Sequence, residues 1–280
     1  MGLMAQAGSG DMVKPICVLR RTLPFIALLV SCIISTAVYA KEDPLKLVSN
    51  EYPPFYSNQL PNYGVVSHLI HESLLRANLS VTHRFFPFSR AVLLTKAGYA
   101  DGIVGIWFRQ SREEWVEYSQ PLLSVQVVLY KRIDRDISFD QLSDLKQYII
   151  GVGRGYANPA AFDEAGLTTE EGSSDSENLK KLHLGRTDLI LISQGVAEFL
   201  ISQNAIDYRD EFEVIGAPFS VELFHFGVSR NRRDHKEIIK QFNNGLNEMK
   251  QDGSVERILK LHGFETNAYW QQELKQGPRN

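Results

Sequence analysis

The sequence predicts an α/β protein made of two similar lobes, each built on a mostly parallel sheet. Three observations lead there. Short apolar runs alternate with helix-period segments along most of the chain, the grammar of parallel sheets with crossover helices. A short pattern recurs: Gly98-Tyr99-Ala100-Asp101 precedes one buried apolar run, and Gly185-Arg186-Thr187-Asp188 precedes another. Two β-rich runs, residues 124–131 and 223–229, flank the second half and read as crossovers between lobes.

The elements follow in order. Residues 45–49 (LKLVS) alternate and read as a first strand. Residues 50–58 (NEYPPFYSN) hold two prolines, which forbid helix and regular ladder pairing, so they form an aromatic-rich loop at the strand's end. Residues 64–77 place Val65, Val66, Leu69, Ile70, Leu74 and Ala77 on one helical face. Residues 79–86 are a second strand, 86–98 a turn and short helix ending near Gly98, and 101–106 a third, buried strand.

The second half repeats the scheme. Ser138-Phe139-Asp140-Gln141 fits a helix capping box. Residues 148–152 are a strand ending in Gly153-Arg154-Gly155-Tyr156, and Asp175 caps a helix running to Leu184. Strands at 189–192 and 212–215 flank a helix at 196–202. Helices at about 234–250 and 254–262 close the chain, returning to the first lobe. The organisation expected is a leader at 1–40, a first lobe at 41–127, an inserted second lobe at 128–225, and a return to the first lobe at 226–280.

The leader has the form of an export signal. Lys14, Arg20 and Arg21 are basic, residues 23–40 form an apolar run, and Val38-Tyr39-Ala40 is a small-residue cleavage pattern. Residues before Met12 read as an upstream extension. A membrane anchor is the rival, at the short edge of spanning length. Leu29-Val30-Ser31-Cys32 also resembles a lipid-attachment box, but apolar residues follow Cys32 where a tether is polar. The expected location is the periplasm. Both cysteines, Cys17 and Cys32, lie in this leader, so a chain cut after Ala40 has no disulfide framework, thiolate metal site or cysteine nucleophile.

The chain has 280 residues, 44% hydrophobic and 22% charged, with a net charge of −3. That balance is globular. The negative charge argues against a nucleic-acid partner, which needs a basic face. No G-x-S-x-G elbow, H-E-x-x-H motif or phosphate loop occurs, and no cofactor is expected. His68 and His71 share a helical face at metal-compatible spacing, but read as surface residues. Asp101 and Asp188 read as turn residues.

Five landmarks in order carry a family resemblance. They are YPPF at 52–55, the Gly-x-x-Asp turn ending at Asp101, REEWVEYSQPL at 112–122, DLKQYIIGVGRG at 144–155, and LGRTD at 184–188. The chain resembles the family 3 extracellular solute-binding proteins, the amino-acid-type receptors of ABC importers, over residues 45–264. The resemblance implies a type II periplasmic binding fold, two α/β lobes joined by two strand crossovers, with a ligand in the cleft between them.

It also assigns roles. Arg112 matches the arginine that clamps a ligand carboxylate; a planar, permanently charged guanidinium suits that task. The alternative is a surface arginine paired with Glu113 or Glu117. Gly105 and Trp107 match positions that join the clamp. Trp107 stands where the family often has a small hydroxyl residue, and either stacks on the ligand or packs in the core. Tyr52, Phe55, Tyr56 and Phe88 form a candidate aromatic wall, with core packing as the competing account. Gly155 and Arg154 lie where backbone amides and a second positive charge could meet an anion; a solvated loop is the alternative. Ser193 occupies the position of the family's ammonium-binding acid, and a serine cannot neutralise an amine. Glu51 or Glu222 could supply the charge instead.

The implied mechanism is hinge closure of a monomeric receptor around a small carboxylate-bearing ligand, which it delivers to the membrane permease of an ABC importer. One rival is a soluble sensor for a membrane receptor. The other is an enzyme similar to the cyclohexadienyl dehydratases on the same fold, for which no catalytic acid is apparent.

Overall fold

The computed structural model of the chain describes residues 43–276, apart from 204–207 and 209. The leader, with its cleavage pattern and both cysteines, lies outside the described residues. The described residues form one compact unit.

Nine strands form one mixed sheet in the order β2-β1-β3-β9-β5-β8-β6-β7, with β4 also pairing β9. In the first half, β1 (Leu45–Ser49) runs parallel between β2 (Val81–Phe85) and β3 (Gly102–Trp107). In the second, β6 (Ile149–Gly153) runs parallel between β7 (Thr168–Gly172) and β8 (Leu189–Ser193). The central strands are covered on both faces, so β3 and β8 read as continuous apolar runs without alternation. Helices α1 (Val65–Arg76) and α2 (Phe88–Lys96) serve the first half, and α3 (Ala160–Glu164), α4 (Asp175–His183) and α5 (Gln194–Gln203) the second. Helices α6 (His235–Gln251) and α7 (Ser254–His262) return to pack on α1; α8 (Ala268–Gln276) follows and contacts β5 (Leu123–Arg132).

The recurrent Gly-to-Asp pattern has a physical explanation. Gly98 and Gly185 take φ of 76° and 65°, the left-handed turn that glycine adopts without penalty. Each Asp then precedes the third strand of its half and ties it to the first. Asp101 Oδ2 accepts from Lys46 N at 2.7 Å, and Asp188 Oδ2 from Ile149 N at 2.9 Å. Both carboxylates also meet an arginine, Arg232 at 2.7 Å and Arg135 at 3.2 Å.

Long strands join the halves. β5 pairs antiparallel with β9 (Phe212–Ser229) and β8, and β9 in turn pairs with β3 and β4 (Val116–Tyr118). The strand expected at 212–215 and the β-rich run at 223–229 are therefore one strand of 18 residues. Its interior, with Gly216 and Pro218, hid that continuity: the β5–β9 register shifts between Val127 and Leu129, opposite residues 215–220.

Two expected caps move. Gln141, not the segment from Ser138, caps a 3-10 helix at Leu142–Gln147, with its N–H donating to Asp144 Oδ2 at 3.0 Å. Ser174, not Asp175, caps α4, its Oγ accepting from Glu177 N at 3.2 Å. Serine caps readily because its short hydroxyl reaches the free amides of the first turn. Among the described residues no helix is long and apolar enough to cross a membrane.

Two predictions follow from local packing. Gly105 sits at a bulge in the β3–β9 pairing with φ of 75°, and an added Cβ would run into the Tyr56 ring. Gly105→Ala should lower unfolding free energy by about 2–4 kcal/mol in denaturant titration, from strain and overpacking together. At the sheet edge, burial holds His83 down at about 3 and His71 at about 4, each reinforced by a neighbouring histidine. The unfolded chain takes up these protons near the ordinary histidine value of 6.5, and the folded chain does not. Stability should therefore be fullest above pH 6.5 and fall as pH drops toward 4, by up to about 1.4 kcal/mol per histidine per unit. Thermal melts of His83→Gln across that range should show a shallower fall.

Candidate functional site

The C-terminal ends of β1 and β3 and the loop after β6 converge at the junction of the two halves, where ligands of open parallel sheets bind. Two neighbouring cavities open there. The first is lined by Asn50, Tyr52, Tyr56, Phe88, Gly105, Trp107, Arg112, Tyr156 and Ala157. The second shares Tyr52, Trp107, Tyr156 and Ala157 and adds Asp175, Ser193 and apolar residues of β5 and β8.

Arg112 follows β3 in a single 3-10 turn, Gln110–Arg112, which carries its side chain back under the strand's end. Its Nη1 donates to the Trp107 carbonyl at 3.1 Å, and its guanidinium lies 5.5 Å from the Phe88 ring centroid. It makes no ion pair with a described carboxylate. Glu117 pairs with Arg230 and His235 instead. Burial pulls the Arg112 pKa down, yet a guanidinium stays charged at any physiological pH. The first cavity thus presents a partly desolvated cation.

The aromatic residues divide. Tyr52 stacks on Tyr56 at 5.5 Å and meets Trp107 and Tyr156 edge-on at 6.4 and 6.0 Å. Phe88 meets Tyr156 edge-on at 5.3 Å. Phe55 lines neither cavity; it is 3% exposed and packs against Phe224 and Phe264 in the core. Its turn explains this: Tyr52 and Tyr56 bridge across the tight Pro53-Pro54 bend, turning Phe55 inward under α1.

The expected glycine-loop residues stand apart from these two cavities. Arg154 is exposed and pairs with Glu171 at 3.2 Å, and Gly155 faces Ser89 of α2; neither lines either of the two. The neighbouring Tyr156 enters the cleft instead. Its hydroxyl accepts from Asn50 Nδ2 at 3.1 Å and donates to Asp175 Oδ2 at 2.8 Å, linking the two halves. A second link is Arg109, which grips Glu222 with both guanidinium nitrogens (2.8 and 3.2 Å) and donates to the Ala157 carbonyl at 3.0 Å.

Glu222 is therefore committed to Arg109, and Glu51 accepts from Asn58 N at 3.1 Å on the surface. The acid in the cleft is Asp175, 6% exposed, whose carboxyl is held up at about 6 by burial despite the Tyr156 hydrogen bond. Asp175, Tyr156 and Asn50 were not singled out as site residues. An acid in a first helical turn is ordinary N-terminal chemistry, and nothing local marks this one as buried. Ser193, 1% exposed, lines the second cavity; its hydroxyl faces that of Tyr52 without ordinary hydrogen-bond geometry. Among the described residues no group of three histidine, cysteine or acidic side chains is placed to hold a metal ion.

Comparison with known proteins agrees with this architecture. Among solved structures, an ancestral arginine-binding protein bound to glutamine superposes with a TM-score of 0.68 at 23% identity, covering 79% of this chain and 98% of that one. The substrate-binding protein of an amino acid ABC transporter gives 0.67 at 18% identity, covering 78% and 97%. A histidine kinase sensor domain with similarity to periplasmic binding proteins gives 0.69 at 17%, covering 78% and 95%. No curated protein matches the sequence significantly. The model of bacterial extracellular solute-binding proteins, family 3, matches residues 47–264, and with the fold and its cleft in place the chain belongs to that family.

Proposed function

We propose that the protein is a periplasmic receptor that closes on a small ligand bearing a carboxylate and presents it to the permease of an ABC importer. One observation carries the reading: Arg112 is a partly buried guanidinium that lines the cleft, is braced by the Trp107 carbonyl and the Phe88 ring, and has no carboxylate partner among the described residues. A bidentate carboxylate satisfies such a group better than water does in a narrow aromatic chamber. The aromatic residues beside it take the ligand's apolar parts.

Closure follows from the same geometry. The lobes are residues 41–127 with 226–280, and residues 128–225. The hinge is the pair of crossing strands, and the register shift at Val127 and Leu129, opposite Gly216, is where they bend most easily. A ligand shifts the open–closed balance only through contacts that differ between the two states; about a 10⁴-fold preference takes it from 1:99 to 99:1. The Asn50–Tyr156 and Arg109–Ala157 hydrogen bonds are the protein's own share of the closed state. The work is binding rather than catalysis, as it is in the family at large. A second reading, a sensor that signals to a membrane receptor, draws on the likeness to the histidine kinase sensor domain. A neighbouring gene for a permease and ATPase, or for a signalling receptor, separates the two.

The test is a thermal-shift screen of amino acids, simple carboxylates and polyamines on the purified protein. A carboxylate at 100 times its dissociation constant should stabilise the fold by about 2.7 kcal/mol. Arg112→Met should abolish that shift while leaving the unliganded melting temperature within a few degrees. An undiminished shift in the variant would remove Arg112 from the site.

A further inference from the structure

The cleft leaves two opposite charges unmatched. Arg112 lines the first cavity and has no carboxylate partner. Asp175 lines the second and has no cationic partner among the described residues; only the Tyr156 hydroxyl and its own backbone meet it. The two do not pair with each other. Tyr52, Trp107, Tyr156 and Ala157, which line both cavities, stand between them. Beside Asp175 lies the buried Ser193 hydroxyl, whose lone pairs have no donor at ordinary hydrogen-bond geometry. Burying a carboxylate with no cation beside it is costly, and a polar atom left unsatisfied adds to the cost. Both costs are relieved at once by a ligand N–H group carrying positive charge.

We propose that the cleft takes a zwitterion whose charges are held apart: a carboxylate on Arg112, a protonated amine on Asp175 and Ser193, and an apolar spacer between Tyr52, Trp107 and Tyr156. The inference rests on the Arg112 reading above and adds the second end of the ligand. Because Arg112 lines only the first cavity and Asp175 only the second, the charges do not sit on adjacent carbons. The amine is at the far end of a chain, not on the carbon next to the carboxylate. Asp175 thus does the work of the acid that Ser193 replaces, from another helix and at a greater distance from the clamp.

Two ligand series test this on the purified protein by thermal shift and calorimetry. One is glycine, 3-aminopropanoate, 4-aminobutanoate, 5-aminopentanoate and 6-aminohexanoate; the other is the same unbranched acids without the amine. Affinity in the amino series should pass through a maximum beyond glycine, about tenfold or more above the amine-free acid of equal length, the scale of one charge-assisted hydrogen bond. Asp175→Asn should erase that gain, so that amino and amine-free acids of equal length bind alike; Ser193→Ala should reduce it. Arg112→Met should weaken both series. Equal binding of the two series, a maximum at glycine, or a gain that survives Asp175→Asn would overturn the proposal and leave the Arg112 reading standing. Wild-type protein that binds neither series would overturn both. The spacer-length profile of the wild type decides the matter even where a variant fails to fold.

Discussion

The antiparallel pairing of β5 with β9 holds this architecture together. It runs from Leu123 opposite Phe224 to Arg132 opposite Phe212, and it welds two parallel three-stranded units into one sheet. Each unit presents strand ends and following loops toward the junction, so the pairing also decides which loops face one another. The ladder is irregular at its middle, where the register shifts between Val127 and Leu129.

What the joint brings together is chemically uneven. The first half supplies the cation, through a short 3-10 turn that folds Arg112 back against its own strand. The second supplies the buried acid, at the first turn of α4. Tyrosines from both sides fill the gap. Such a cleft is poorly satisfied by its own groups: two charges stand apart from any opposite partner among the described residues, and burial moves the pKa of each toward its neutral form. This is the expected signature of a binding site, where stability is surrendered to groups that a ligand completes.

Much of the fold was legible because it rests on local rules. The period of apolar residues placed β1, β3, β8 and the face of α1. The Gly-to-Asp echo at 98–101 and 185–188 marked topologically equivalent strands, because each Asp makes the same backbone bond in its half. Strands with weak apolar signals were not legible. β7 (TTEEG) is a polar edge, and β4 is three residues long. The caps at Ser138 and Asp175 slipped by one to three residues, since several short polar side chains in each stretch can serve and only packing selects among them.

The sequence alone determined the class of chain, the two-lobed order of its elements, and the arginine, glycine and aromatic positions of one wall of the cleft. These depend on periodicity, on turn chemistry and on motifs whose spacing is local. The tertiary structure alone decided that Phe55 turns into the core, that Arg154 stays at the surface beside Glu171, that Glu222 is spent on Arg109, and that Asp175 lies buried at the heart of the site. Burial and charge pairing arise from residues far apart in the chain, 19 positions for Tyr156 with Asp175 and 106 for Asn50 with Tyr156. No local pattern records such distances.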